Sequence, residues 1–178
     1  MKRTSKFLSL LLALAMVCSL FVPAMAAEGE EGIVVLYTND IHCTSDDGLA
    51  YAAIASYKAQ MEDTYGADNV TLVDNGDAIQ GGILGSMSNG SWIIDIMNAV
   101  GYDLAIPGNH EFDYGMARAK AVIQEADFPY VSCNWVDLRT GFNVLPSVKF
   151  FFVGGRKIAF VGVTTPETFT KSTPAYFM

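Results

Sequence analysis

The sequence predicts an α/β fold with a mostly parallel sheet flanked by helices. Three observations carry it. Short apolar, β-rich runs recur at residues 33–38, 70–73 and 103–106, with helix-spaced patterns between them. Each run ends in a polar cluster, and open α/β sheets bind ligands outside the carboxyl ends of their strands. A β-α-β-α-β-α-β order followed by a hairpin suits a parallel sheet with helices on its faces.

The elements follow in order. Residues 33–38 form the first strand, which Asn39-Asp40-Ile41-His42 ends. Residues 44–48 are a polar turn. Leu49, Ala53, Ile54, Tyr57 and Met61 recur at helical spacing and predict a helix over 49–64 whose stripe covers the sheet. Residues 66–69 close it. Strand two, 70–73, ends in Asp74-Asn75-Gly76-Asp77.

The segment Gln80-Gly81-Gly82-Ile83-Leu84-Gly85-Ser86 is glycine-rich but lacks the Lys-Ser/Thr of a phosphate-cradling P-loop. Its glycines let the chain pass close to the site. Ser91 is a candidate N-cap for a helix over 92–100, which Gly101 ends. Strand three leads into Pro107-Gly108-Asn109-His110-Glu111-Phe112-Asp113-Tyr114-Gly115. A helix over 116–126 carries Met116, Ala119, Val122 and Ile123 on one side. Phe128-Pro129 stops it, residues 130–133 form strand four, and 138–143 are loop. Residues 148–153 and 157–163 read as a hairpin turning at Gly154-Gly155.

The chain of 178 residues is long enough for one domain with a real core. Lys2, Arg3 and Lys6, the apolar run 7–22 and Ala24-Met25-Ala26 have the layout of a signal peptide over 1–26; the run is short for a spanning helix. The membrane is therefore a partner only during export. Residues 27–32 are a short acidic linker. Without the first 26 residues, 8 Lys+Arg stand against 19 Asp+Glu, a net charge of −11. That excludes nucleic-acid polymers, which need a basic surface. Small anionic substrates fit if a bound metal supplies positive charge. Cys43 and Cys133 either pair, as an oxidising compartment allows, or stand as isolated small buried residues, the reading preferred here.

The chemistry concentrates in three loops. The chain's two histidines, His42 and His110, both lie there. Asn109 offers an amide oxygen, His110 an imidazole, and Asp113 a carboxylate able to orient that imidazole. Glu111 reads as a solvated acid suited to a helix start. Gln80 and Asn134 read as loop residues satisfying backbone groups, and Trp92 and Trp135 as packing residues. Phe150, Phe151 and Phe152 are consecutive, so they cannot all face one side of a strand.

Together, Thr38-Asn39-Asp40-Ile41-His42, Asp74-Asn75-Gly76-Asp77, Gly108-Asn109-His110-Glu111-Phe112-Asp113 and Gly162-Val163-Thr164-Thr165-Pro166-Glu167-Thr168 resemble the calcineurin-like metallophosphoesterases, in particular the exported bacterial 5′-nucleotidases, UDP-sugar hydrolases and 2′,3′-cyclic-nucleotide phosphodiesterases. The resemblance implies a four-layer αββα sandwich, of which residues 33–178 supply the first half. It implies hydrolysis of nucleotide phosphate esters by two divalent metal ions, such as Mn or Zn, and an activated water. Asp40 and His42 would bind one metal, Asp77 would bridge, and Asn109 would bind the second. His110 would be the catalytic imidazole near the phosphate, with Asp113 its partner. The second half of the sandwich, with its further histidines, and the C-terminal nucleotide-binding domain are absent. The expectation is an N-terminal part of a longer enzyme, weak or inactive alone. The alternatives are another phosphoesterase of this fold, or a non-catalytic exported metal-binding domain.

Overall fold

Strand β1 (Val34–Thr38) pairs in parallel with β2 (Val70–Asp74), with Val34 opposite Val70 and Thr38 opposite Asp74. β2 pairs in parallel with β3 (Leu104–Ala105) through Val73–Leu104 and Asp74–Ala105. The computed structural model describes residues 32–43, 51–173 and 175. The expected signal peptide, the linker as far as residue 31 and the polar turn at 44–48 lie outside the described residues.

The strands run one way in the order β1-β2-β3, so their carboxyl ends share one edge of the sheet. The loops carrying Asp40, Asp77 and Asn109 all leave from that edge. Side chains alternate across a strand. Leu36, Leu72 and Ala105 face the helices, while Val73 and Leu104 face the other way.

Helix α1 (Tyr51–Tyr65) buries Tyr51 and Ile54. The stripe is rotated from the expected one: Ala53 and Tyr57 instead line a cleft of about 520 Å³ with Leu36, Tyr37, Asp40 and Ile41. A short helix, α2 (Ile83–Ser88), follows the double glycine, where the sequence showed only a permissive segment. α3 (Ser91–Val100) buries Ile93, Ile94 and Met97 completely. Each such burial contributes about 1.5–3 kcal/mol. Gly90, not Ser91, caps α3. The Ser91 hydroxyl instead bonds Glu125 at 2.7 Å and accepts from Arg118, tying α3 to α4 (Met116–Glu125). Gly101 closes α3 as expected, and α4 buries Ala119 and Val122.

The fourth expected strand is reduced to one parallel bridge, Tyr130 to Ala105. The expected loop at 138–143 holds part of a small ribbon, β4 (Val136–Asp137) with β5 (Phe142–Asn143). The hairpin forms as expected, β6 (Val148–Val153) with β7 (Arg156–Val161), paired from Val148–Val161 to Val153–Arg156. Phe151 and Phe160 of its inner side pack against Val73, Leu104 and Val131, covering the helix-free face of the sheet there. A last turn, α5 (Thr168–Lys171), follows. The result is α/β with a parallel sheet and flanking helices. No helix among the described residues is long and apolar enough to cross a membrane.

Candidate metal centre

The loops after β1 and β2 continue the sheet pairing beyond its edge. Asp40 N–H donates to Gly76 O (3.1 Å), His42 N–H to Asp77 O (2.9 Å) and Cys43 N–H to Ala78 O (3.0 Å). This zipper holds Asp40, His42 and Asp77 in left-handed backbone, at φ 55°, 49° and 60°. Few non-glycine residues adopt that region, and such strain clusters at functional sites. The second and third loops meet through Gly76 and Gly108: a Cβ on Gly76 would lie 2.7 Å from Gly108 Cα, and one on Gly108 would lie 2.7 Å from Asp77 Cγ. No other residue type permits that approach.

The side chains converge on this framework. One ligand atom each from His42, Asp77 and His110 lies within 4.8 Å of the other two. The two imidazoles meet edge to face at 4.9 Å between ring centres. Asp40 Oδ1 is 3.7 Å from His42 Nε2. His42 Nδ1 is 3.1 Å from both the carbonyl and the side-chain oxygen of Gln80. A carbonyl only accepts, so the proton sits on Nδ1 and the Nε2 lone pair is free for a metal. Gln80 thus orients a candidate ligand, a role the sequence did not reveal. A Cβ on Gly81 would come within 2.8 Å of His42 O, which is the close passage expected of that glycine.

His110 is fixed from two sides. Its N–H donates to Asp77 Oδ1 (2.6 Å), and its Nδ1 lies 2.7 Å from Asp113 Oδ2. The other Asp113 oxygen accepts from the Ser172 hydroxyl at 2.6 Å. Asn109 is buried, and its amide nitrogen has no hydrogen-bond partner. One end of that amide is therefore uncommitted.

Three carboxylates are buried here. Burial pushes Asp74 up to about 8, against hydrogen bonds from Thr38 and the Gly76 N–H. Asp77 is raised, first by burial and further by Asp40 beside it, against the N–H and charge of His110. Glu111 is raised, first by burial and then by Asp77. Among the described residues no lysine or arginine ion-pairs with any of the three. Carboxylates and an imidazole with a free Nε2 form a donor set suited to a divalent cation.

Glu111 overturns its sequence reading. It is 2% exposed, not solvated. Its carboxylate accepts backbone N–H groups from Asp77, Ala78, Ile79 and Gly108. Asn134 behaves as expected, bonding both the N–H and the carbonyl of Thr164. Trp135 packs edge to face on Phe112. Cys43 and Cys133 are both free thiols; Cys43 is buried, its thiol directed at Ala78 O and pushed up to about 11 by burial.

The model of the calcineurin-like phosphoesterase family matches residues 33–175. The snake venom 5'-nucleotidase of Gloydius brevicauda is 30% identical to the chain, over 85% of the chain and 29% of the venom protein. The trifunctional nucleotide phosphoesterase protein YfkN of Bacillus subtilis (strain 168) is 35% identical, over 71% of the chain and 10% of YfkN. In fold, the structure of Haemophilus influenzae NAD nucleotidase superposes with a TM-score of 0.69 at 24% identity, covering 78% of this chain and 27% of that one. The chain therefore spans less than a third of the length of these proteins. The family match starts one residue before β1 and takes in every residue of the site, and the chain belongs to the calcineurin-like phosphoesterase family.

Proposed function

We propose that this chain carries the metal-binding part of an exported hydrolase acting on nucleotide phosphate esters, in the manner of a 5′-nucleotidase. The observation that carries it is the meeting of His42, Asp77 and His110 within 4.8 Å. The names of the relatives support the substrate class, one being a 5'-nucleotidase and the other a nucleotide phosphoesterase. In this reading Asp40 and His42 would hold one divalent ion, Asn109 the second, and Asp77 would serve both. The chemistry such ions supply is activation of a water and neutralisation of phosphoryl oxygens during in-line displacement. His110 donates Nδ1–H to Asp113, and in its doubly protonated form the Nε2–H would stabilise charge on the phosphate or pass its proton to the departing oxygen. Buried Asn109, Asp77 and the strained loops keep these donors in place. The first 26 residues act as the export signal.

Four donors shared by two ions are few, so turnover is expected to be slow next to that of a longer relative. The test is phosphate release from a nucleoside 5′-monophosphate, with added Mn²⁺ or Zn²⁺ and with EDTA. Metal-dependent release, lost at least about 100-fold in Asp77→Asn, is the expected result. Release that EDTA leaves untouched would overturn the reading. Turnover equal to that of a full-length relative would show that the donor count is wrong. Metal binding without turnover would leave a non-catalytic binding domain.

A further inference from the structure

Two loops carry the proposed metal donors on the β2 and β3 side, and one buried side chain joins them. Glu111 Oε2 accepts from Asp77 N–H at 2.8 Å and from Gly108 N–H at 2.6 Å. Its Oε1 accepts from Ala78 N–H at 2.9 Å and Ile79 N–H at 3.4 Å. A single oxygen thus spans both loops, one residue from Asn109 on one side and at Asp77 itself on the other.

We propose that Glu111 is a positioning residue: its carboxylate fixes the distance between the Asp77 loop and the Asn109–His110 loop, and through that the separation of the two metal ions. The inference rests on the two-metal reading above. An ionised carboxylate is acceptor-only, so all four donors find a partner without conflict. Glutamine has the same shape but turns an NH₂ group toward one pair of N–H donors. Buried N–H groups left facing a donor force the loops to move. The loops have a second tie, His110 N–H to Asp77 Oδ1 at 2.6 Å, so a shift in their spacing turns the Asp77 carboxylate as well. Asp74, the neighbouring buried acid, takes Gly76 N–H and the Thr38 hydroxyl and does not reach the Gly108 loop. Being buried, Glu111 acts through Asp77 and not on substrate.

The test uses the whole chain and Mn²⁺ alone. Two Mn²⁺ ions bridged by Asp77 give an exchange-coupled EPR spectrum in the parent chain. Glu111→Gln is expected to replace it with the six-line spectrum of isolated ions and to weaken Mn²⁺ binding about 10- to 100-fold, as loss of an orienting partner does. Glu111→Asp keeps the charge but withdraws it by one methylene, and is expected to fail in the same way. A folded Glu111→Gln with the parent spectrum and affinity overturns the proposal. If the variants do not fold, amide exchange in the parent decides. The Asp77, Ala78 and Gly108 amides share one acceptor, so they should be protected and open together. Unprotected or independently exchanging amides overturn the clamp. A parent chain that binds no Mn²⁺ sinks the two-metal reading alone, since amide exchange still reads the clamp.

Discussion

Asp40, His42 and Asp77 hold left-handed backbone that costs an ordinary L-residue about 1–2 kcal/mol, somewhat less for Asp. The zipper between the first two loops imposes it. Asp40 is the most exposed of the three, so its side chain adds little to packing. Asp40→Gly removes the steric cost and adds about 0.5–1 kcal/mol of chain entropy lost on folding, leaving stability nearly unchanged. The expected outcome is a metal-free melting temperature within a few degrees of the parent, with Mn²⁺ affinity down at least about 10-fold. A calorimetric midpoint lowered by ten degrees would assign Asp40 to the fold. Asp40, His42, Asp77, His110 and Asp113 stood out as candidates in the sequence because each lies in a loop that follows an apolar run, where a polar side chain has no packing role. Glu111 was hidden. Three of its four donors lie 32 to 34 positions away and are backbone groups, which carry no residue signature. Gln80 was hidden for the related reason that its partner, His42, lies across a loop contact 38 residues distant.

At the level of elements, the site depends on how closely the β2 and β3 loops touch. A methyl group on Gly108 would sit 2.7 Å from both Asp77 N and Asp77 Cγ. Backbone cannot yield as a flexible side-chain tip does, so the loops must separate. Gly108→Ala is expected to cost about 1–3 kcal/mol, the range for an overpacked interior, and to abolish Mn²⁺ binding. Denaturant titration and a metal-binding isotherm check both halves; an alanine variant that binds Mn²⁺ like the parent would show that the loops have slack. The β1 and β2 strands, α3, α4 and the hairpin were legible because period and turn chemistry agreed locally. Helix α2 was not, since Gly85 within it weakens any helical pattern; Gly85 is there because Cys43 and Ile79 press on it. The fourth strand shrank to one bridge because Ser132 and Cys133 spend their N–H groups on Pro146 and Gly162. The α1 stripe rotated because Tyr51, which the spacing did not include, enters the core.

Over the whole molecule, apolar surface remains in water. Tyr37 is 69% exposed on β1, and Phe152 is 75% exposed on the hairpin, whose Phe150 and Val161 are also exposed. Among the described residues β1 has a partner on one edge only. A few hundred Å² of such surface forfeits several kcal/mol at about 25 cal/mol per Å², against a total of about 5–15 kcal/mol for a domain. The chain expressed alone is expected to bind hydrophobic dyes and to self-associate. Size-exclusion chromatography with a thermal melt checks this; a sharp monomer peak and a cooperative transition above about 60 °C would contradict it. One further property follows from the strand order. β1, β2, β3 and Tyr130 lie side by side in the sequence in which they are synthesised. Each strand docks on the one made just before it, so no partner must be awaited from far along the chain. By the time Ala78 has emerged, the zipper joining Asp40, His42 and Asp77 has all its backbone groups. The centre can therefore assemble vectorially, in a chain that leaves the ribosome amino end first, and Glu111 arrives last to close on loops already laid down.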